Sequence, residues 1–230
     1  MVNESASDLR RAAGEEAARI LIEIGAVNFR PSEPYILTAG WASPVYIDCR
    51  KLIAYLAQRR RVIELGVELI ERDLGAGAID LVAGGETAGI PYAAWISDSL
   101  DRPMLYVRKK AKGFGRDAQI EGNLTDGQRV LLVEDLATDG GSKVTFVEAL
   151  RGAGAEVTDI FVVFFYGAFP GAEDTMKDLG VALHYLATWE NVLTAAEEGQ
   201  YFNRDAIRGV RGFLDDPIGW SKAHGGRGAP

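Results

Sequence analysis

The chain has 230 residues, 47% of them hydrophobic and 25% charged, with 25 Lys+Arg against 33 Asp+Glu for a formal charge of −8. This balance excludes a wholly disordered chain and argues against broad nucleic-acid binding, which needs a strong basic face. Cys49 is the only cysteine, so internal disulfides and cysteine-rich zinc sites are excluded, and no apolar run approaches the roughly 20 residues that cross a bilayer.

In chain order, MVNESASDLR has no basic patch ahead of an apolar stretch, so no secretory signal is expected and a cytoplasmic setting is. Leu9, Ala13, Ala17, Ile20, Leu21 and Ile24 recur at three- and four-residue spacings, which predicts an amphipathic helix ending near Gly25. Residues 35–38 and 45–48 read as extended segments on either side of an Ala-Gly-Trp-Ala-Ser-Pro turn. Val62, Ile63, Leu69 and Ile70 share one face of a helix predicted over 59–73. An alternation follows: strand 79–83, loop 84–89, helix 90–100 with Pro91 in its first turn, and strand 104–107. A polar, glycine-containing stretch fills 108–123, then come strand 130–133, helix 142–152 and strands 160–165 and 181–186. Unbroken apolar runs separated by helices predict a mostly parallel sheet flanked by helices, an α/β fold. The expected organisation is one domain, with a core over about 51–188 and a small hood from about 1–50 and 189–224. The Gly-rich tail over 225–230 is expected to be disordered.

The sharpest chemical signal lies where the 130–133 strand runs into Glu134, Asp135, Leu136, Ala137, Thr138, Asp139, Gly140, Gly141 and Ser142. Small residues let backbone N–H groups approach an anion, and the helix that follows adds partial positive charge at its start. Thr138 and Ser142 can donate to phosphate oxygens, whereas Glu134 and Asp135 would repel them and call for the hydroxyls of a ribose instead. A solvated turn with an N-cap serine is the plain alternative. No G-x-x-x-x-G-K-[ST] occurs, and no G-x-G-x-x-G follows a strand. Arg108, Lys109, Lys110, Lys112 and Arg116 share a short segment with Gly113 and Gly115, which suits a cationic lid over a polyanionic leaving group or, more plainly, a solvated charged loop.

The acid-acid-x-x-T-x-G-x-S run resembles the phosphoribosyl-diphosphate (PRPP) motif of type I phosphoribosyltransferases. Residues 36–48, ILTAGWASPVYID, resemble the hood signature of the orotate phosphoribosyltransferases within that group. Gly84 to Pro91 is similar to their pyrophosphate loop, and 108–122 to their catalytic loop, all in family order over about 26–167. The resemblance implies a type I phosphoribosyltransferase-like core with a hood, joining orotate to PRPP to give orotidine 5′-monophosphate and diphosphate in pyrimidine synthesis. It implies that Glu134 and Asp135 hold the ribose hydroxyls and that Thr138 to Ser142 hold the 5′-phosphate. Thr138, Tyr46 and Ile47 would meet the base, and Glu86, Thr87 and Ala88 would form the pyrophosphate loop. Catalytic roles fall to Lys112, Arg108, Lys109 and Asp135, with Mg²⁺ held mainly by PRPP. A homodimer is implied, its catalytic loop acting on the neighbouring subunit, with no nucleic-acid or membrane partner.

Several positions depart from the family pattern. Thr38 and Ala88 stand where lysines are frequent and Phe114 where a histidine is, and no clear arginine follows Phe165. Transfer to another base, or PRPP sensing without catalysis, are the alternatives. His184, His224, Cys49, Trp95, Trp189 and Trp220 read as structural. Trp41 either lies over the base or packs the hood against the core.

Overall fold

A strand whose residues are all apolar must be covered on both faces, and the covering helices are supplied by the amphipathic segments between the strands. The computed structural model describes residues 5–37, 39–75, 77–111, 119–138, 140–169 and 171–228. Helix α1 (Ala6–Glu23) starts at a capping box in which Ser5 and Asp8 satisfy each other's backbone N–H groups. Four short strands follow: β1 (Val27–Phe29), β2 (Tyr35–Ile36), β3 (Ala42–Ser43) and β4 (Val45–Ile47). After a 3₁₀ helix (Cys49–Ala54) come α2 (Leu56–Leu74), β5 (Leu81–Gly85), α3 (Gly89–Ser99), β6 (Met104–Val107) and β7 (Ile120–Glu121). The chain continues through β8 (Arg129–Ala137), α4 (Gly141–Gly152), β9 (Glu156–Phe165), α5 (Ala172–Leu179) and β10 (Ala182–Ala187). It closes with α6 (Trp189–Glu198), α7 (Arg204–Asp215) and α8 (Pro217–Ala223).

The central sheet has the order β10-β9-β8-β5-β6-β7. Five strands are parallel, and β7 joins the edge antiparallel to β6. Side chains alternate across it. Val82, Leu131, Val133, Phe161 and Val163 face the layer of α1, α2, α3, α6 and α7. Leu81, Ala83, Val130, Leu132, Ile160 and Val162 face Phe146, Val147 and Leu150 of α4. At the amino end of the central pair, Asp80 accepts from Arg129 Nε at 2.9 Å and NH2 at 2.6 Å. Those bonds hold the Asp80 carboxyl well below the usual range. On the edge strand, His184 sits between Asp159 (2.7 Å from Nε2) and Asp73 (3.3 Å from Nδ1), tying β10 to β9 and α2.

The small strands form two antiparallel ladders, β1 with β4 and β2 with β3. They are fastened at the carboxyl ends of the central strands. Ser43 Oγ lies 2.5 Å from the hydroxyl of Tyr166, the residue after β9, and Tyr92 of α3 donates to the Cys49 carbonyl at 2.6 Å.

The structure corrects four expectations. Strand β8 runs from Arg129 to Ala137, beyond the predicted 130–133, so the strand continues past the two acids through Leu136 and Ala137. The 108–123 stretch contains β7. Helix α5 and the ladders' partners β1 and β3 went unforeseen. The tail is ordered through residue 228: Gly226 N–H donates to the Ser221 carbonyl and Arg227 N–H to the Gly40 carbonyl.

Gly89 opens α3 against the backbone of β8, where an added Cβ would run into the Val133 carbonyl oxygen. A backbone obstacle cannot swing away as a side-chain tip can. Gly89→Ala is therefore expected to lower stability by about 1–3 kcal/mol, seen as a lower urea midpoint at unchanged slope.

Candidate active site

Because neighbours on a strand point to opposite faces, the two acids at the tip of β8 have different surroundings. Glu134 turns toward α4 and is buried, 6% exposed, in an ion pair with Lys143, which is 4% exposed. The Lys143 ammonium also donates to the Leu136 carbonyl at 2.5 Å and to Ser142 Oγ at 3.3 Å, and Ser142 Oγ donates to Glu134 Oε2 at 3.2 Å. Gly85 makes room for this pair, since a Cβ there would lie 2.6 Å from Glu134 Oε1 and 2.7 Å from the Phe146 ring. Asp135 turns to the other face, toward Cys49, Tyr92 and Arg50. Burial first, and the adjacent Glu134 charge second, push its pKa up to about 6, while Lys143 and Arg50 pull it back. Burial also raises the Cys49 thiol well above its ordinary value, so it is not a thiolate nucleophile.

Beyond the acids, Ala137 is buried and its carbonyl accepts from Tyr166 N–H at 2.8 Å, while Thr138 is exposed. Gly140 takes a left-handed conformation, φ 85°, as it enters α4, and its α-carbon is packed so closely by α5 that a Cβ would lie 2.6 Å from the Met176 methyl. Gly141 and Ser142 form the exposed first turn of α4. Asp139 lies outside the described residues.

Two further loops meet at the same edge of the sheet. Glu86 N–H donates to the Val107 carbonyl at 2.9 Å, and Glu86 Oε2 accepts from Lys109 N–H at 2.8 Å, which joins the 86–88 loop to the start of the cationic segment. Thr87 is exposed and Ala88 half-buried ahead of α3. Arg108 pairs main chain with Gln119, and its NH1 reaches Glu121 at 3.2 Å. Its Nε is buried with no hydrogen-bond partner among the described residues. Lys112, Gly113, Phe114, Gly115 and Arg116 lie outside the described residues, as does Thr38.

Within β4, Tyr46 and Ile47 also diverge. Tyr46 is half-buried with its ring 5.3 Å from Tyr35 and its hydroxyl 3.4 Å from Arg50 NH2. Ile47 is 4% exposed within the core. Arg50 Nε donates to Asp48 at 2.7 Å. Trp41 is stacked on Phe169 at 4.7 Å, with the Arg227 guanidinium 5.3 Å from its ring centre, which favours packing over the other reading.

The structure thus brings Asp135, residues 136–138 and 140–142, the 86–88 loop, Arg108 and Lys109 to the carboxyl ends of the parallel strands. Sequence reasoning missed Lys143 and Arg50. A lysine in the first turn of a helix opposes the helix dipole, and that misfit was the available sign that Lys143 answers a buried anion.

The Phosphoribosyl transferase domain matches residues 54–190. Strand order, acid-bearing strand tip and glycine turn therefore define a phosphoribosyltransferase. An orotate phosphoribosyltransferase of Sinorhizobium medicae is 51% identical over 215 residues, covering 94% of this chain and 93% of the relative. The crystal structure of orotate phosphoribosyltransferase from Aeropyrum pernix superposes with a TM-score of 0.68 at 33% identity, over 81% of this chain and 99% of that one. Leishmania donovani UMP synthase gives 0.77 at 30% identity, over 89% of this chain and 43% of that one. The chain belongs to the orotate phosphoribosyltransferase family.

Lys143→Met would leave Glu134 charged and alone in the interior. Breaking one side of a buried pair costs about 3–5 kcal/mol, so thermal or urea unfolding should show a loss of that order. The double variant Glu134→Gln/Lys143→Met should recover part of it. A single variant as stable as the parent would mean that the pair contributes nothing.

Proposed function

We propose that the protein transfers the 5-phosphoribosyl group of PRPP to orotate, forming orotidine 5′-monophosphate and diphosphate in UMP synthesis. The observation that carries this reading is Asp135: a half-buried carboxylate at the strand tip, on the opposite face from the paired Glu134 and joined to a turn of small residues at the start of α4. A carboxylate accepts from neighbouring ribose hydroxyls, and backbone N–H groups at a helix start donate to phosphate oxygens. In this reading Asp135 takes the diol, while Glu134 acts through Lys143 to hold the turn in place. Leu136, Ala137, Thr138, Asp139, Gly140, Gly141 and Ser142 surround the 5′-phosphate, and Thr138 and Tyr46 face the base. Ile47 supports the base site from the core side.

The reaction breaks the bond from the anomeric carbon to diphosphate and forms one to a ring nitrogen of the base. Negative charge grows on the departing oxygens, so cations that tighten there lower the barrier. Arg108, Lys109 and Lys112 are assigned that role, with Glu86, Thr87 and Ala88 lining the diphosphate. Mg²⁺ fits as an ion carried by substrate, since it keeps waters and phosphate oxygens with one or two carboxylates rather than a full protein cage. Among the described residues no three His, Cys, Asp or Glu side chains gather to form such a cage. Asp135 is the carboxylate that would meet it, and when bound the ion neutralises diphosphate charge. No helix among the described residues is long and apolar enough to cross a membrane. A cytoplasmic homodimer, its catalytic loop reaching into the partner's site, completes the reading.

Orotate absorbance should fall on mixing enzyme, PRPP and Mg²⁺, and adenine, hypoxanthine or uracil in place of orotate should give little turnover. Turnover with another base and none with orotate would overturn the assignment. Protonation of Asp135 removes an acceptor, so PRPP affinity measured by calorimetry should weaken as pH falls through about 6. That component should be missing in Asp135→Asn, whose affinity is already low. Lys112→Ala should lower kcat by about 10²-fold or more, and single-turnover rates would show whether chemistry is the step affected.

A further inference from the structure

A hairpin of two-residue strands is not stable by itself. The β2/β3 ladder is such a hairpin, and it carries the 36–48 segment that is read here as the cover over the base. We propose that residues 221–227, beyond the active site in sequence, are the strap that fixes this cover, with Ser221, Gly226 and Arg227 as positioning residues for the base. The inference rests on the functional reading above.

Four hydrogen bonds, one close backbone approach and one ring contact build the strap. Ser221 Oγ, fully buried, accepts from Ala42 N–H at 2.9 Å and donates to the Arg227 carbonyl at 2.7 Å. Gly226 N–H donates to the Ser221 carbonyl at 2.9 Å and Arg227 N–H to the Gly40 carbonyl at 2.8 Å. The chain reverses at Gly225, φ 80°, and then passes so close to the hairpin that a Cβ on Gly226 would run into Ala42 N. Last, the Arg227 guanidinium covers one side of Trp41, 5.3 Å from the ring centre.

Trp41 in turn links the strap to the site. Phe169 stacks on it at 4.7 Å, and Phe169 lies parallel to Tyr166 at 6.0 Å. Tyr166 holds Ser43 through its hydroxyl and Ala137 through its N–H, so the hairpin is clamped between the strap and the tips of β8 and β9. An arginine over an indole and four hydrogen bonds to backbone groups, two of them on the hairpin, are specific in direction, whereas simple coverage of apolar surface needs neither. Displacing the strap would let the hairpin drift while β8 and its turn stay fixed by Lys143.

The test uses Gly226→Val and, as the milder change, Arg227→Ala, each in the full chain. KM for orotate should rise about tenfold while KM for PRPP stays within about twofold, because a small misplacement of the cover affects only what it covers. Amide hydrogen exchange at Ala42 should quicken with no change along β8. Exchange does not depend on turnover, so it judges the strap even if orotate proves not to be the base. Unchanged exchange at Ala42 in both variants, or equal rises in both KM values, would overturn the proposal.

Discussion

A lysine ammonium buried beside a glutamate is the constraint from which the active-site end of this protein is built. Removing two charges from water is costly and is offset only when the remaining donors and acceptors are also satisfied. Lys143 meets that condition, because its donors reach the Glu134 carboxylate, the Leu136 carbonyl and Ser142 Oγ. Those partners are the end of a strand, the backbone beyond it and the first turn of the next helix. One side chain therefore fixes the angle at which β8 turns into α4. The tight passage of Gly140 over Met176 then leaves the turn little choice of path.

With Glu134 paired to Lys143 in the interior, the two adjacent acids have different surroundings. Asp135 alone keeps a carboxylate on the face shared with Arg50, Asp48 and Tyr46, and its partial desolvation makes it a stronger acceptor toward hydroxyls than a surface aspartate. The neighbouring loops arrive by main-chain bonds: Glu86 on Val107, Lys109 on Glu86, Arg108 on Gln119. Gathering binding groups at the carboxyl edge of a parallel sheet is the general habit of such folds. The solved orotate phosphoribosyltransferase of Aeropyrum pernix shares this architecture over 81% of the chain.

Much of this was legible beforehand. Val130 to Val133 and Ile160 to Phe165 are unbroken apolar runs, and α1 and α2 carry apolar stripes, so sheet and covering helices follow from pattern alone. The acid-and-glycine turn was visible because few other uses require that combination of residues. What stayed hidden depends on contacts far apart in the chain. Strands β1 and β3 exist only through their partners, and α5 buries just Ala172 and Met176, too few to mark a stripe. The glycines near the end of the chain suggest mobility by composition, yet one reverses the backbone and the next permits close approach to Ala42. Lys143 stood against the helix dipole, yet sequence does not reveal which way a first-turn side chain points or which anion it meets.

The salt bridge between Asp80 and Arg129 has a bearing on chemistry at the opposite end of its strands. Since both sides of β8 are greasy along its middle, sliding it by one position would still bury oily groups on each side, and hydrophobicity alone offers weak protection against that error. Such a slip would exchange the surroundings of 134 and 135, turning the glutamate to the Arg50 face and driving the aspartate, one methylene shorter, at the lysine. Two end-stops, one at each extremity of the strand, oppose it: the buried Glu134–Lys143 pair and the Asp80–Arg129 bonds. A contact at the far end of the strand thereby helps decide which acid lies inside and which faces Arg50.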